Sequence, residues 1–157
     1  MTEAARDVSP VVQTIEIDAP AERVFELWTK PEELVRWWPD AAELEPRVGG
    51  KLKLEFEGRG EVWGELTRFE PPNGLAFTWI RGVAPDVTTL VEVTIEDLGS
   101  GRSRVELVHS GFENVPEGQV AEWRAMHGAG WSHFLGCLAA LAEGRPVDKQ
   151  FMPPTSD

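Results

Sequence analysis

The chain has no tyrosine, three histidines and a single cysteine, Cys137, in 157 residues. One cysteine excludes an internal disulfide, and a reducing compartment is the simpler expectation. No apolar run approaches the ~20 residues that a membrane-spanning helix requires. The opening stretch Met1-Thr2-Glu3-Ala4-Ala5-Arg6-Asp7 has no apolar core, so it does not read as a secretory signal. These absences point to a cytoplasmic protein. Basic residues are scarce as well: 15 Lys and Arg face 27 Asp and Glu, a net charge of −12. Phosphate backbones are gripped by clustered Lys and Arg, so nucleic acid is not an expected partner. An anionic membrane surface is disfavoured for the same reason.

What the chain has in quantity is tryptophan, with seven residues. Each buries a large area, so some fill the core; the others suit a pocket lined with rings. The length fits one domain whose core needs no staples. Residues 1–10 read as a loose lead-in, 11–143 as the domain, and 144–157, with Pro146, Pro153 and Pro154, as a tail.

Hydrophobic periodicity orders the domain. Val11 to Ile17 alternates as a first strand. Asp18-Ala19-Pro20 offers a helix start, with Asp18 as the cap. Ala21 to Thr29 carries Val24, Phe25, Leu27 and Trp28 at helical spacing. Pro31-Glu32-Glu33 opens a second short helix, which Pro39 ends near Trp37-Trp38. Leu52, Leu54 and Phe56 alternate with charged residues as a half-exposed strand. Glu61 to Phe69 is a further strand, with Trp63 and Leu66 on opposite faces and its inward side open. Leu75, Phe77 and Trp79 share a face of the next; Val91, Val93 and Ile95 of another; Val105, Leu107 and His109 of the last.

A long helix then runs from Glu117 to Leu141. Projected at 100° per residue, it gathers Val120, Trp123, His127, Trp131, Phe134, Leu135, Leu138 and Leu141 on one face. The other face holds the small residues Ala125, Ala129, Ser132, Gly136 and Ala140, which would allow close packing on a second copy or on the short helices. A lone helix with an apolar face must lie on something, and a curved sheet is what the chain offers. A space left between them is where a small molecule would bind.

Three stretches carry a resemblance. Ala19-Pro20-Ala21-Glu22-Arg23-Val24-Phe25-Glu26-Leu27-Trp28 leads into Pro31-Glu32-Glu33-Leu34-Val35-Arg36-Trp37-Trp38-Pro39. Arg47-Val48-Gly49-Gly50-Lys51-Leu52 follows. His109-Ser110-Gly111-Phe112 precedes Gly130-Trp131-Ser132. In this order they resemble homologues of the activator of the heat-shock-protein-90 ATPase, of the single-domain bacterial type, over roughly residues 11–143. That family lies in the START-like (SRPBCC) superfamily. The resemblance implies an α+β helix-grip fold: a seven-stranded antiparallel sheet wrapped round the C-terminal helix. Six strands are clear, and residues 40–48 or 86–96 could supply the seventh. The eukaryotic activator has a further chaperone-binding domain for which this chain has no room. The superfamily includes lipid and hormone carriers, polyketide cyclases and oxygenase domains, so the fold does not settle function.

His109 faces the concave side of the sheet and His127 the inward side of the helix. The two could form an acid–base pair, though a buried histidine is more simply a neutral, hydrogen-bonded one. No third ligand stands at metal-site spacing, so neither a metal nor a cofactor is expected. His133 projects away towards the surface. Cys137 lies off the apolar face with no basic partner, so a nucleophile is not expected. Gly58-Arg59-Gly60 and Gly99-Ser100-Gly101 precede no helix and read as hairpin turns, not phosphate loops. The candidate ligand-binding set is Trp38, Phe56, Trp79, Trp123, Trp131 and Phe134 around one apolar space, with His109, Arg124 and His127 as polar contacts. The favoured reading is a non-catalytic module for a small hydrophobic or amphipathic molecule. The alternatives are a chaperone-ATPase activator-like interaction domain, and a cyclase- or hydrolase-type enzyme using His109 or His127.

Overall fold

The computed structural model describes residues 7–151; the lead-in 1–6 and the end of the expected tail, with Pro153 and Pro154, lie outside the described residues. The chain runs β1 (Val11–Ile17), α1 (Ala21–Thr29), α2 (Pro31–Trp37), β2 (Ala41–Leu44), β3 (Lys51–Phe56), β4 (Gly60–Glu70), β5 (Gly74–Arg81), β6 (Thr89–Gly99), β7 (Arg102–Ser110) and α3 (Val120–Ala142). The strands form one seven-stranded sheet in the order β1-β7-β6-β5-β4-β3-β2, antiparallel throughout. Strands β2 to β7 are a meander. The first strand instead crosses to pair with the last, Val11 opposite His109 and Ile17 opposite Ser103. The two short helices carry the chain from one sheet edge to the other. This is the helix-grip fold, and the seventh strand is Ala41–Leu44.

Local sequence explains most of these boundaries. Pro31 opens α2, where its missing N–H costs nothing. Trp38 leaves helical geometry (φ −130°, ψ −93°) because Pro39 crowds it. Asp18 is not the cap of α1: Pro20 occupies that position without a side-chain bond. The Asp18 backbone N–H goes instead to Glu143 Oε2 at 2.9 Å, tying the end of β1 to the end of α3.

The open question about Glu61 to Phe69 is answered by a β-bulge. Leu66 pairs with Phe77 and Arg68 with Ala76, so one extra residue is accommodated between them. Before the bulge Val62 and Leu66 are buried and Trp63 faces solvent, 41% exposed. After it the parity reverses, and Phe69 turns inward onto Phe25, ring centroids 5.4 Å apart.

The inward face of α3 is as the projection gives it, with Trp123, His127, Trp131, Phe134, Leu135 and Leu138 buried. The far side is less simple. Cys137 is buried and His133 half-buried, because the segment after the helix folds back over them. Phe151 lies against His133 and Phe134, with centroids at 5.4 and 5.7 Å. Lys149 Nζ donates to the carbonyls of Val35 and Pro39 at 2.7 and 2.9 Å. Burial pushes the Cys137 thiol pKa up. His133 is therefore not the surface residue expected of it.

Candidate functional site

The end of α2, strands β3 and β5, and α3 deliver side chains to one space, with Phe56 coming from the end of β3 and β7 standing behind them. Pro39 turns Trp38 out of the helical path. Alternation along β5 aims Phe77 and Trp79 inward, and along β7 it does the same for Leu107 and His109. The i, i+4 and i, i+3 steps of α3 line up His127, Trp131 and Phe134. The resulting cavity holds about 80 Å³ and is walled by Trp38, Phe56, Trp79, His127, Trp131 and Phe134, joined by Met126 and Gly130. Trp38 stacks on Trp79 at 5.9 Å with an 8° interplanar angle and leans on Trp131 at 5.1 Å. Met126 and Gly130 were absent from the expected set. Their spacing from Phe134 (i, i+4, i+8) was the signal that could have found them.

Three other expected residues stand elsewhere. His109 is fully buried behind the cavity wall. Trp123 belongs to a second cluster with Val87, Phe112, Val115 and Val120, at the far end of α3. Arg124 points away and holds the N-terminal segment, donating from Nε to Ser9 O at 2.8 Å and pairing with Asp7 at 3.3 Å.

The two inward histidines are neutral, and their neighbours dictate the tautomers. An indole N–H can only donate. Trp79 Nε1 donates to His127 Nε2 at 3.2 Å, so the His127 proton sits on Nδ1 and goes to Trp123 O at 2.8 Å. Trp131 Nε1 donates to His109 Nδ1 at 3.0 Å, so His109 carries its proton on Nε2 and donates to Thr89 Oγ1 at 2.8 Å. The Thr89 hydroxyl can pass the chain on to Trp79 O at 3.4 Å. Burial, seconded by His127, pushes His109 well below the usual 6.5. Burial also lowers His127 to about 4; Arg81 adds to this, and the Trp123 carbonyl opposes it.

Each imidazole lone pair is already committed to an indole. Neither ring can accept a substrate proton or ligate a metal without breaking a buried hydrogen bond. Among the described residues no group of three or more His, Cys, Asp or Glu side chains converges as a metal site.

Arg59, at the tip of the β3–β4 turn, rests on two of the cavity's wall residues from outside. Its guanidinium lies over the rings of Phe56, Phe134 and Phe151 at 5.4, 5.9 and 5.3 Å. Two further hollows adjoin it. One of about 90 Å³ has Phe56, Arg59, Trp79 and Arg81 in its wall, and one of about 310 Å³ has Trp38, Arg59, Phe134 and Phe151. A further open groove of about 480 Å³, with Trp63 and Val83 flanked by Glu55, Glu57 and Glu61, shares Phe56, Glu61 and Val83 with the hollow of about 90 Å³.

The sequence profile of the family described as "Activator of Hsp90 ATPase homolog 1-like protein" matches residues 18–143. The chain belongs to this family. No curated protein matches it. Among solved structures, this Hsp90-activator-homologue domain is similar to PFC0360w, an HSP90 activator from Plasmodium falciparum. Identity is 26% and the TM-score 0.68, over 88% of this chain and 98% of that one. It is similar to the Aha1 dimer from Colwellia psychrerythraea, with 20% identity and a TM-score of 0.73 over 85% and 96% of the two chains. CalU16 from Micromonospora echinospora matches at 24% identity and a TM-score of 0.67, over 87% of this chain and 76% of that one. The last two likenesses speak to fold. No helix among the described residues is long and apolar enough to cross a membrane.

Proposed function

We infer that this protein binds a small hydrophobic or amphipathic molecule between the sheet and α3, in the cytoplasm and without a cofactor. The observation that carries this reading is the aromatic cavity of about 80 Å³ at the centre of the grip. That volume is below the ~300 Å³ at which small-molecule sites begin. The adjoining hollow of about 90 Å³ shares Phe56 and Trp79 with it, the one of about 310 Å³ shares Trp38 and Phe134, and Arg59 borders both hollows. Rotating the exposed Arg59 and half-buried Phe56 side chains would join them into a space of ordinary ligand size, and exposed rotamers change in nanoseconds. The ligand contacts in this reading are Trp38, Phe56, Trp79, His127, Trp131 and Phe134, with Met126 at the rim. Titration of tryptophan emission with a panel of apolar molecules tests it. A saturable response weakened by Trp131→Ala supports the reading, and no saturable response from any member overturns it.

The likeness to an HSP90 activator favours a second reading, an interaction with a chaperone ATPase. Its surface would be the groove around Trp63 and Val83, which are 41% and 70% exposed. Stimulation of a chaperone ATPase on mixing, lost in Trp63→Ser, would favour it. An unchanged ATPase rate would remove it.

A further inference from the structure

Charge pairing on this protein is nearly complete, and the exceptions share one place. Among the described residues, every lysine and arginine except Arg59 and Arg81 has a carboxylate in ion-pair contact. The chain carries 27 acids, so carboxylates are not in short supply. These two guanidiniums rest on aromatic rings instead, Arg59 over three phenylalanines and Arg81 over Trp123 at 4.8 Å. Both are partly desolvated, which disfavours their charge, while Asp40 and Glu122 act on them without touching them. Both also line the same hollow of about 90 Å³, whose wall includes Phe56 and Trp79 of the aromatic cavity. The one acid on that rim, Glu61, faces Lys53 at 3.8 Å.

A partly desolvated cation without a counter-ion is costly, and the cost is relieved when an anion arrives. A guanidinium offers a planar fork that matches a carboxylate on both oxygens. We propose that the hollow between Arg59 and Arg81 is an anion subsite, and that the ligand is an amphipathic carboxylic acid whose apolar part enters the aromatic cavity and whose carboxylate is held by the two arginines. Arg59 then serves twice. It rests on Phe56, Phe134 and Phe151 when the site is empty, and it swings with the β3–β4 turn to meet the carboxylate when the site fills. Gly58 and Gly60 on either side of it have φ of +78° and +97°, a conformation that a glycine adopts without strain.

This inference rests on the binding reading above, and the test separates the two. Octanoate and the uncharged 1-octanol have the same chain length, and both are spectrally silent, so tryptophan emission reports either. The full-length protein at neutral pH and low salt is expected to bind octanoate at least ~10-fold more tightly than 1-octanol. Arg59→Gln and Arg81→Gln should each reduce that preference by about tenfold, equivalent to about 1.4 kcal/mol, down to the point of equality. Arg59→Gln/Arg81→Gln together should then leave the two probes equal. The ratio of the two affinities is the readout, so a change in overall stability does not imitate the effect, and the single variants carry the test should the double one not fold. Saturable binding of both probes with no preference in the unaltered protein overturns the anion subsite alone, as does a preference that survives both substitutions. No saturation by either probe overturns the binding reading with it.

Discussion

Trp79 and His127, 48 residues apart, are joined by one buried hydrogen bond in which the indole Nε1–H donates to Nε2 at 3.2 Å. The bond ties β5 to α3 across the cavity. It also spends the lone pair that a general base would need, so it turns the most reactive-looking side chain of the site into a structural one.

A pH dependence follows. His127 is held at about 4 against an ordinary 6.5, and His109 is lowered too. The unfolded chain binds those protons first, so stability rises with pH. The contribution is whole above pH 6.5 and drains away as pH falls towards the folded value. Between pH 7 and 5 the loss from His127 should be roughly 2 kcal/mol, and His109 adds a loss of the same sign. Urea unfolding at the two pH values measures it. His127→Gln should make the slope clearly shallower, and an unchanged slope would show that His127 titrates normally.

Trp131→Phe keeps a ring in the wall but leaves His109 Nδ1 with no donor. A buried polar atom left unsatisfied costs about 1–3 kcal/mol, before any loss of packing. Urea unfolding should therefore show at least that much destabilisation. A change below about 0.5 kcal/mol would mean the indole hydrogen bond contributes nothing.

Two tryptophans, Trp28 on α1 and Trp63 on β4, contrast sharply in burial. Trp28 is 1% exposed, whereas Trp63 is 41% exposed. Trp28→Ala should cost about 3–5 kcal/mol, and Trp63→Ser no more than about 0.5 kcal/mol. Equal costs would contradict the outward placement of Trp63 on β4.

Cys137 sits under the returning segment, its Sγ 3.3 Å from Asp148 O, with its thiol pKa raised by burial. Its reaction with a thiol reagent at neutral pH should be on the order of tenfold slower than that of an exposed cysteine. Lys149→Ala, which releases the segment from Val35 and Pro39, should speed it. An equal rate in both proteins would mean that the segment does not protect the thiol.

Much of this was legible from residues alone, and the misses have physical causes. Both short helices and most strands announce themselves through Pro31, Pro39 and clean alternation such as Leu52-Lys53-Leu54. Ala41–Leu44 does not, since an exposed four-residue edge strand carries only Ala42 and Leu44 as its apolar signal. Trp63 had no assigned face because it is a large apolar side chain on the solvent side of β4, and the bulge after Leu66 then turns Phe69 inward without any mark in composition. Helical projection puts His127, Trp131 and Phe134 on the face that lines the cavity but says nothing of distance along the axis. Trp123 shares the right face yet lies beyond the cavity, over Phe112 and Val115. Arg124 follows it round the helix and reaches Ser9 instead. Cys137 and His133 looked outward because the projection saw only helix and sheet. The segment that covers them, around Lys149 and Phe151, has no periodicity to read.

The central claim is that the space among Trp38, Trp79 and Trp131 opens to an apolar guest. The seven indole N–H groups each give a proton NMR signal. Titration with 1-octanol, with each signal assigned, tests the claim most directly. The indole signals of Trp79 and Trp131 should move saturably and together, while that of exposed Trp63 stays fixed. Movement of Trp63 alone, or drift without saturation, would contradict the account.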